Sequence, residues 1–177
     1  MIVDFDDWSL EHDCRHRLAE LRKINPKFKV TLFTIVGKTS LEMLHWVHHN
    51  EEWIEVCPHG WLHNSNYEAS KWTEEFMDTY LKWVDQFQFF QRIFKAPGWQ
   101  ISDGCYQSCL KNGYAVADQP QNREKRPGGL RVYEIPTQAY HGHTWDCGTN
   151  NGIYEDWENI ITIVNNAKKF QFISEVV

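Results

Sequence analysis

A chain of 177 residues, 42% apolar and 24% charged, carries enough apolar material for one globular domain around a single substantial core. Its net charge of -6 lacks the basic face that phosphate backbones require, which excludes a general nucleic-acid binder. The N-terminus Met1-Ile2-Val3-Asp4-Phe5 carries no basic leader, no apolar run reaches the roughly 18 residues that cross a bilayer, and Cys14, Cys57, Cys105, Cys109 and Cys147 show no Cys-x-x-Cys pairing. No membrane contact, no zinc ribbon and no disulfide framework is therefore expected, and the chain reads as cytoplasmic, with free thiols.

Ile2 to Phe5 is short and apolar, as a buried strand is. Ser9 offers an N-cap for a helix on which Leu10, Cys14, Leu18 and Leu21 recur, and Asn25-Pro26 ends it. Phe28 to Val36, rich in β-branched and aromatic residues and closed by Gly37, predicts a second strand. Ser40 caps a helix bearing Leu41, Leu44 and Val47, and Trp53 to Cys57 is a third strand. From Ser70 to Phe87, the residues Trp72, Phe76, Tyr80, Trp83 and Phe87 make one stripe of a helix, read as core-facing.

Ile93 to Ala96 is a fourth strand ended by Pro97-Gly98, and Ser102 opens a helix that Gly113 stops. Tyr114 to Ala117 is a fifth strand, and Gln119 to Gly129 is a loop broken by Pro120, Pro127 and Gly128. Leu130 to Ile135 and Gln138 to His141 are two further strands on either side of Pro136. Tyr154 to Lys169 is a last helix, with Trp157, Ile160, Ile161 and Val164 inward, and Phe170 to Ile173 a final strand. Alternating strand and helix means parallel strands with crossover helices. The expected fold is a single α/β domain over 1–177: a distorted or incomplete (β/α) barrel of about seven parallel strands, with an open doubly wound sheet as the alternative.

In such folds ligands bind at the carboxyl ends of the strands. Asp6-Asp7, His59 and His63, Lys95 to Trp99, Asp118, and His141-Gly142-His143 all fall there. Taken alone, an Asp-Asp pair is a helix cap, a His-x-x-x-His spacing is chance, Pro97-Gly98 is a turn, and His-Gly-His is an exposed turn. His12, His16, His45, His48 and His49 sit on predicted helices and read as solvated or packing residues. Together and in this order the rim residues point to chemistry. Two imidazoles, placed on one face if residues 59–63 form a helical turn, with one aspartate, make a divalent-metal triad beside a second, free carboxylate. The metal itself stays open on these donors: zinc first, with cobalt, nickel, manganese or iron also accommodated.

These segments resemble, in order, the motifs of the polysaccharide deacetylases with the NodB homology domain, carbohydrate esterase family 4. Asp4-Phe5-Asp6-Asp7 is similar to that family's Thr-Phe-Asp-Asp, and His59-Gly60-Trp61-Leu62-His63 to its His-Ser/Thr-x-x-His. Lys95-Ala96-Pro97-Gly98-Trp99 is similar to its Arg-x-Pro-Tyr/Phe-Gly, and the segment ending at His141 or His143 to its Leu-x-His. The resemblance implies Asp6 as general base, Asp7, His59 and His63 as metal ligands, and His141 or His143 as general acid. Lys95 takes the place of the Arg that orients the catalytic aspartate. Asp4 stands where the family has Thr and Gly60 where it has Ser or Thr. The Asp-x-x-Asp-Trp motif has no clear counterpart, Asp118 being the nearest candidate.

The aromatic content of 15%, with nine tryptophans, fits a surface for flat sugar faces as well as core padding. Trp61, Pro97, Gly98, Trp99 and Asp118 are the candidate substrate-side residues, and Trp8 and Trp145 adjoin the motifs. The expected activity is metal-dependent removal of acetyl groups from N-acetylated sugars, with a carbohydrate as partner. The alternatives are hydrolysis of a small non-sugar amide, on a fold that does not fix substrate, and a non-catalytic carbohydrate-binding relative.

Overall fold

The computed structural model describes residues 1–136, 138–146, 148 and 150–177. In chain order its strands and α-helices are β1 (Ile2–Trp8), α1 (Arg15–Ile24), β2 (Val30–Thr34), α2 (Leu41–His48), β3 (Ile54–Pro58) and α3 (Glu74–Val84), then β4 (Ile93–Lys95), α4 (Asp103–Lys111), β5 (Ala115–Asp118), β6 (Val132–Glu134), β7 (Ala139–His143) and α5 (Trp157–Asn166). Every pair of strands is parallel, in the orders β3-β2-β1-β7 and β4-β5-β6. The two sheets meet where Val56 bridges to Phe90 and the Gln91 N–H donates to the Val56 carbonyl at 2.8 Å. Among the described residues no ladder joins β6 to β7. The fold is thus the expected incomplete barrel of seven parallel strands, with a seam.

Side chains alternate across each strand, and that alternation builds the site. Val3 and Phe5 of β1 face the helices and join Leu18, Leu21, Val56, Ile160 and Val164 in the largest apolar cluster. Ile2, Phe33, Cys57, Ile93, Ala117 and Tyr133 pack inside the strands, where Ile173 joins them from the C-terminal segment. The same inward register carries Asp4 and Asp6 of β1, Lys95 of β4, and His141 and His143 of β7. The barrel interior is therefore apolar at the strand starts and charged toward the strand ends.

Three helix starts are capped by a side-chain oxygen. Ser40, Thr73 and Ser102 accept from the N–H groups of Met43, Phe76 and Cys105 at 3.2, 3.2 and 3.1 Å. Several elements differ from expectation. Ser9 makes no cap bond; a short 3-10 turn over Leu10–His12 intervenes, and α1 starts only at Arg15. The core face of α3 is Met77, Tyr80, Leu81 and Val84. Phe76 is 48% exposed and Trp72, Trp83 and Phe87 are half-buried, because the smaller aliphatic side chains take the inner face. The stretch from Phe170 forms no strand; it runs extended into a 3-10 turn over Ile173–Glu175, held by Glu55 accepting from the Ser174 N–H and hydroxyl. Cys14, Cys57, Cys105 and Cys109 are buried and free, while Cys147 lies outside the described residues. Burial pushes the Cys57 and Cys109 thiols up, which removes them as nucleophiles. Among the described residues no helix is long and apolar enough to cross a membrane.

Asp78 ties α3 to α4, accepting from Lys111, from Ser108 at 2.6 Å and from Asn112 at 2.8 Å. The Lys111 ammonium foremost holds this carboxyl down at about 2, from an ordinary 3.8. A depressed folded-state value contributes stability above the unfolded value and loses it as pH falls through the folded one. Asp78→Asn is therefore expected to lower the thermal midpoint at pH 7. The gap to wild type should close as pH drops from about 4 to about 2. Parallel curves of midpoint against pH would remove Asp78 as a stabilising anion.

Candidate active site

Alternation would send Asp6 and Asp7 to opposite faces of β1. A register irregularity between Phe5 and Trp8 and a left-handed φ of 67° at Asp7 turn the second carboxylate back to the rim. Residues 59–63 form an irregular loop rather than the expected helical turn. Its left-handed positions are Gly60 (φ 71°) and His63 (φ 51°). Such a conformation at a non-glycine residue costs about 1–3 kcal/mol and persists only where surroundings over-determine it. Here they do. The Glu68 carboxylate accepts from the backbone N–H groups of Trp61, Leu62 and His63 at 3.1, 3.1 and 2.7 Å, and the Tyr80 hydroxyl donates to the Gly60 carbonyl at 2.9 Å. A β-carbon on Gly60 would lie 2.7 Å from Pro97, and one on Gly98 (φ 56°) 2.6 Å from Asn66. The loops after β3 and β4 thus lock together through two glycines, which accounts for glycine at position 60.

His59 is 1% exposed, and its Nδ1 donates to the Lys95 carbonyl at 2.9 Å. A carbonyl only accepts, so Nδ1 carries the proton and Nε2 presents a lone pair when the ring is neutral. That Nε2 lies 3.5 Å from Asp7 Oδ1, and His63 Nε2 lies 3.2 Å from the same oxygen. Metal–ligand bonds of about 2.0–2.1 Å in tetrahedral array place ligand atoms about 3.3 Å apart, so these donors fit a divalent ion. Among the described residues Asp7 Oδ1 is buried without a hydrogen-bond partner, while Oδ2 accepts from the Trp145 indole at 2.6 Å. One oxygen is anchored and the other is offered to the cation.

Burial opposes the charge on Asp7, but His59, Trp145 and His63 outweigh it and hold the carboxyl below its ordinary range. Burial likewise opposes a charge on His59, and Asp6 and Asp7 outweigh it, raising that imidazole above 6.5. A cation must displace this proton, so affinity falls as pH falls.

Asp6 is 4% exposed, and its Oδ1 accepts from Lys95 at 2.7 Å. Its Oδ2 lies 3.8 Å from His59 Nε2 and 3.7 Å from His141 Nε2. Burial raises its pKa, and the Lys95 ammonium, then His59 and His141, more than reverse this and keep Asp6 ionised. Lys95 is 1% exposed; its ammonium sits 4.0 Å from the Trp99 ring centre and 4.6 Å from that of Phe33. Asp6, His141 and His143 form a second cluster of potential ligands, but the Lys95 ammonium already occupies its charge.

The structure brings Asp6, Asp7, His59, His63, Lys95, His141 and His143 together, with Trp99 packed on His141 at 5.5 Å and Trp145 on His143 at 5.5 Å. Asp118 does not join them. It is 2% exposed and accepts from Tyr106, Gln119, Asn122 and Arg126 at 2.6–3.0 Å, which anchors the loop after β5. Its link to the centre is indirect, through Asn122 donating to the Trp99 carbonyl at 3.2 Å. Pro97 is buried against Gly60, Gly98 is exposed, and Trp8 is fully buried in the main core, so Trp8 offers no face to a ligand. Trp61 packs edge-on to Trp83 at 4.7 Å and lines an apolar groove with Phe76, Thr79 and Tyr80.

Sequence reasoning missed Glu68, the partnership of Asp4 with His141, and the cavity beside Asp7. That cavity, about 240 Å³, is lined by Glu11, His12, Lys38, His63, Asn66 and Trp145. His12, which reads from sequence as a solvated or packing residue, faces it. Asp4 and His141 are 137 residues apart, and Glu68 and His12, though near in sequence to what they serve, sit on irregular turns whose direction no residue pattern gives. Glu68→Ala is expected to weaken zinc binding about 10–100-fold, as loss of a ligand-orienting contact does. A zinc titration giving a Kd within threefold of wild type would dismiss Glu68 as the loop's anchor.

No protein-family model matches the chain, and no curated protein matches it. Solved structures do. A family 4 acetyl xylan esterase from Clostridium thermocellum, in complex with a cobalt ion, superposes with a TM-score of 0.65 at 11% identity, over 98% of this chain and 88% of that one. A peptidoglycan N-acetylglucosamine deacetylase gives 0.63 at 13% identity, over 98% and 86%. A family 4 pseudoenzyme from Bacillus anthracis gives 0.61 at 14% identity, over 99% and 64%. The resemblance read from the motifs therefore holds for the fold: the chain has the architecture of carbohydrate esterase family 4.

Proposed function

We propose that this chain is a divergent member of carbohydrate esterase family 4 that hydrolyses the N-acetyl group of a sugar, using one divalent ion held by Asp7, His59 and His63. The observation that carries this reading is the convergence of His59 Nε2 and His63 Nε2 on the unpartnered Oδ1 of Asp7, with the ionised Asp6 beside them. A binding module has no use for Asp6. When bound, the ion, zinc first among the candidates, supplies Lewis-acid polarisation of the acetyl carbonyl and acidification of a water.

The chain's own groups do the rest. Asp6, kept as carboxylate by Lys95, takes the proton that the attacking water loses. A histidine of β7 protonates the departing nitrogen. Trp99 and Trp145 cover the histidines and thin the water around them. The cavity beside Asp7, with Glu11, His12, Lys38 and Asn66 on its walls, offers hydrogen-bonding groups to sugar hydroxyls.

The test is acetate release from N-acetylated chito-oligomers by metal-loaded protein. Release should be abolished by a chelator and restored by zinc or cobalt. Release from small acetamides alone moves the reading to a non-sugar amidase. Tight metal binding with no release from any acetylated substrate favours a non-catalytic relative, the state named for the Bacillus anthracis neighbour.

A further inference from the structure

We propose that Asp4 is the positioning residue that makes His141, rather than His143, the proton donor of this centre; this rests on the deacetylase reading above. Asp4 is fully buried at 0% exposure, on the strand next to β7 and directly in register with His141. Its Oδ1 lies 2.6 Å from His141 Nδ1, a distance that requires the nitrogen to carry the proton because a carboxylate only accepts. Lys95, 3.3 Å from the same nitrogen, is also a donor and so makes no competing bond to it. The tautomer and tilt of the ring are thereby fixed, and Nε2 is directed toward Asp6, 3.7 Å away.

A plain ion-pair role for Asp4 is the weaker account. Lys95 already has Asp6 at 2.7 Å, and its approach to Asp4 is the longer one, 3.4 Å. A fully buried carboxylate is costly unless something needs its charge, and the shortest contact of Asp4 identifies His141 as that group. His143 has no such anchor among the described residues: its Nδ1 is buried without a partner there, and burial drives the ring toward its neutral form.

The proton balance closes within this set. Water adds its hydroxyl to the acetyl carbon and gives its proton to Asp6. The C–N bond breaks as His141 Nε2 delivers a proton to the nitrogen. The neutral ring is then recharged from protonated Asp6 across the 3.7 Å gap, restoring both groups while acetate and the amino sugar leave. Asp4 keeps its charge throughout, as the orienting carboxylate of an Asp–His pair does.

The experiment compares two leaving groups and adds a spectroscopic readout. An amide nitrogen must be protonated to leave, whereas the phenolate of p-nitrophenyl acetate leaves without a proton. Asp4→Asn and His141→Gln are each expected to lower kcat/KM on the acetylated chito-oligomer about 10²-fold or more, through kcat rather than KM. The fall on p-nitrophenyl acetate should be at least tenfold smaller. His143→Gln should show no such dependence on the leaving group. In the metal-free protein, the Nδ1–H proton of His141 should give a far-downfield NMR signal that vanishes in Asp4→Asn.

Equal losses on both substrates, a leaving-group effect that follows His143, or persistence of the signal in Asp4→Asn would each overturn the proposal. Should Asp4→Asn fail to fold, His141→Gln, which leaves the Asp4–Lys95 pair intact, carries the kinetic comparison, and its loss of the downfield signal assigns the resonance. No turnover on either substrate, with the signal present in wild type, defeats the deacetylase reading and with it the donor role, while the pairing itself stands.

Discussion

With methionine at position 95, the protein is expected to lose about 3–5 kcal/mol of folding stability, the cost of removing one partner from a buried ion cluster. Lys95 is the cation that faces both Asp4 and Asp6 inside the barrel, at 3.4 and 2.7 Å, and all three side chains are at most 6% exposed. Methionine matches the volume but strands the Asp6 carboxylate inside the barrel, while Asp4 keeps His141 at 2.6 Å; the uncompensated charge costs more than the lost attraction. The variant should also lose hydrolysis, because the lysine charge is what keeps Asp6 ionised against its burial. Adding Asp6→Asn to Lys95→Met should return part of the stability, since one stranded charge is gone. Urea unfolding at pH 7 measures both variants. A Lys95→Met midpoint corresponding to a loss below about 1 kcal/mol would show that these carboxylates tolerate burial without the ammonium.

The second large effect separates two adjacent aspartates by one conservative change. Asp7→Asn should weaken zinc binding by more than about 100-fold, since even outer contacts to a ligand are worth 10–100-fold. Asp6→Asn should leave zinc bound and lower kcat about 10²–10⁴-fold, the range for a lost general base. Metal content after dialysis and acetate release distinguish the two. The division of labour assigned to β1 fails if both variants lose metal, or if Asp6→Asn turns over at the wild-type rate.

The positions of the strands, their parallel sense and most of the candidate centre are legible in the sequence because they depend on local pattern. Short apolar runs ending at Trp8, Pro58 and Lys95 place reactive side chains at strand ends, and strand-end residues of a parallel fold share one rim. What the pattern could not carry was direction within an element. The register irregularity that swings Asp7 onto the side of Asp6 is a backbone event with no residue-type signal. On α3 almost every turn offers both an aromatic and an aliphatic candidate. Of the rings that read as core, Tyr80 is buried, but Met77, Leu81 and Val84 fill the rest of the inner face and leave Phe76 to solvent. A helical turn over residues 59–63 would put both histidines on one face. The loop reaches the same end by another route, with Glu68 in place of helical hydrogen bonds. Asp118 failed as a rim residue for the opposite reason, since a buried carboxylate with four donors has nothing left to offer a ligand. The pair of Asp4 and His141, 137 residues apart, is visible only once the register of β1 on β7 is known.

That register has a consequence for how the protein comes to life on the ribosome. β1 is flanked on one side by residues 30–34 and on the other by residues 139–143. The emerging N-terminal half can pair β1 with β2 and carries Asp7, His59 and His63, but the Lys95 carbonyl that orients His59 and the Trp145 indole that anchors Asp7 come later in the chain. The proposed proton donor, His141, joins only after about four-fifths of the chain has been made, because contacts between distant segments close late. On the proposed reading, turnover in refolding experiments should therefore recover no earlier than the docking of β7 on β1.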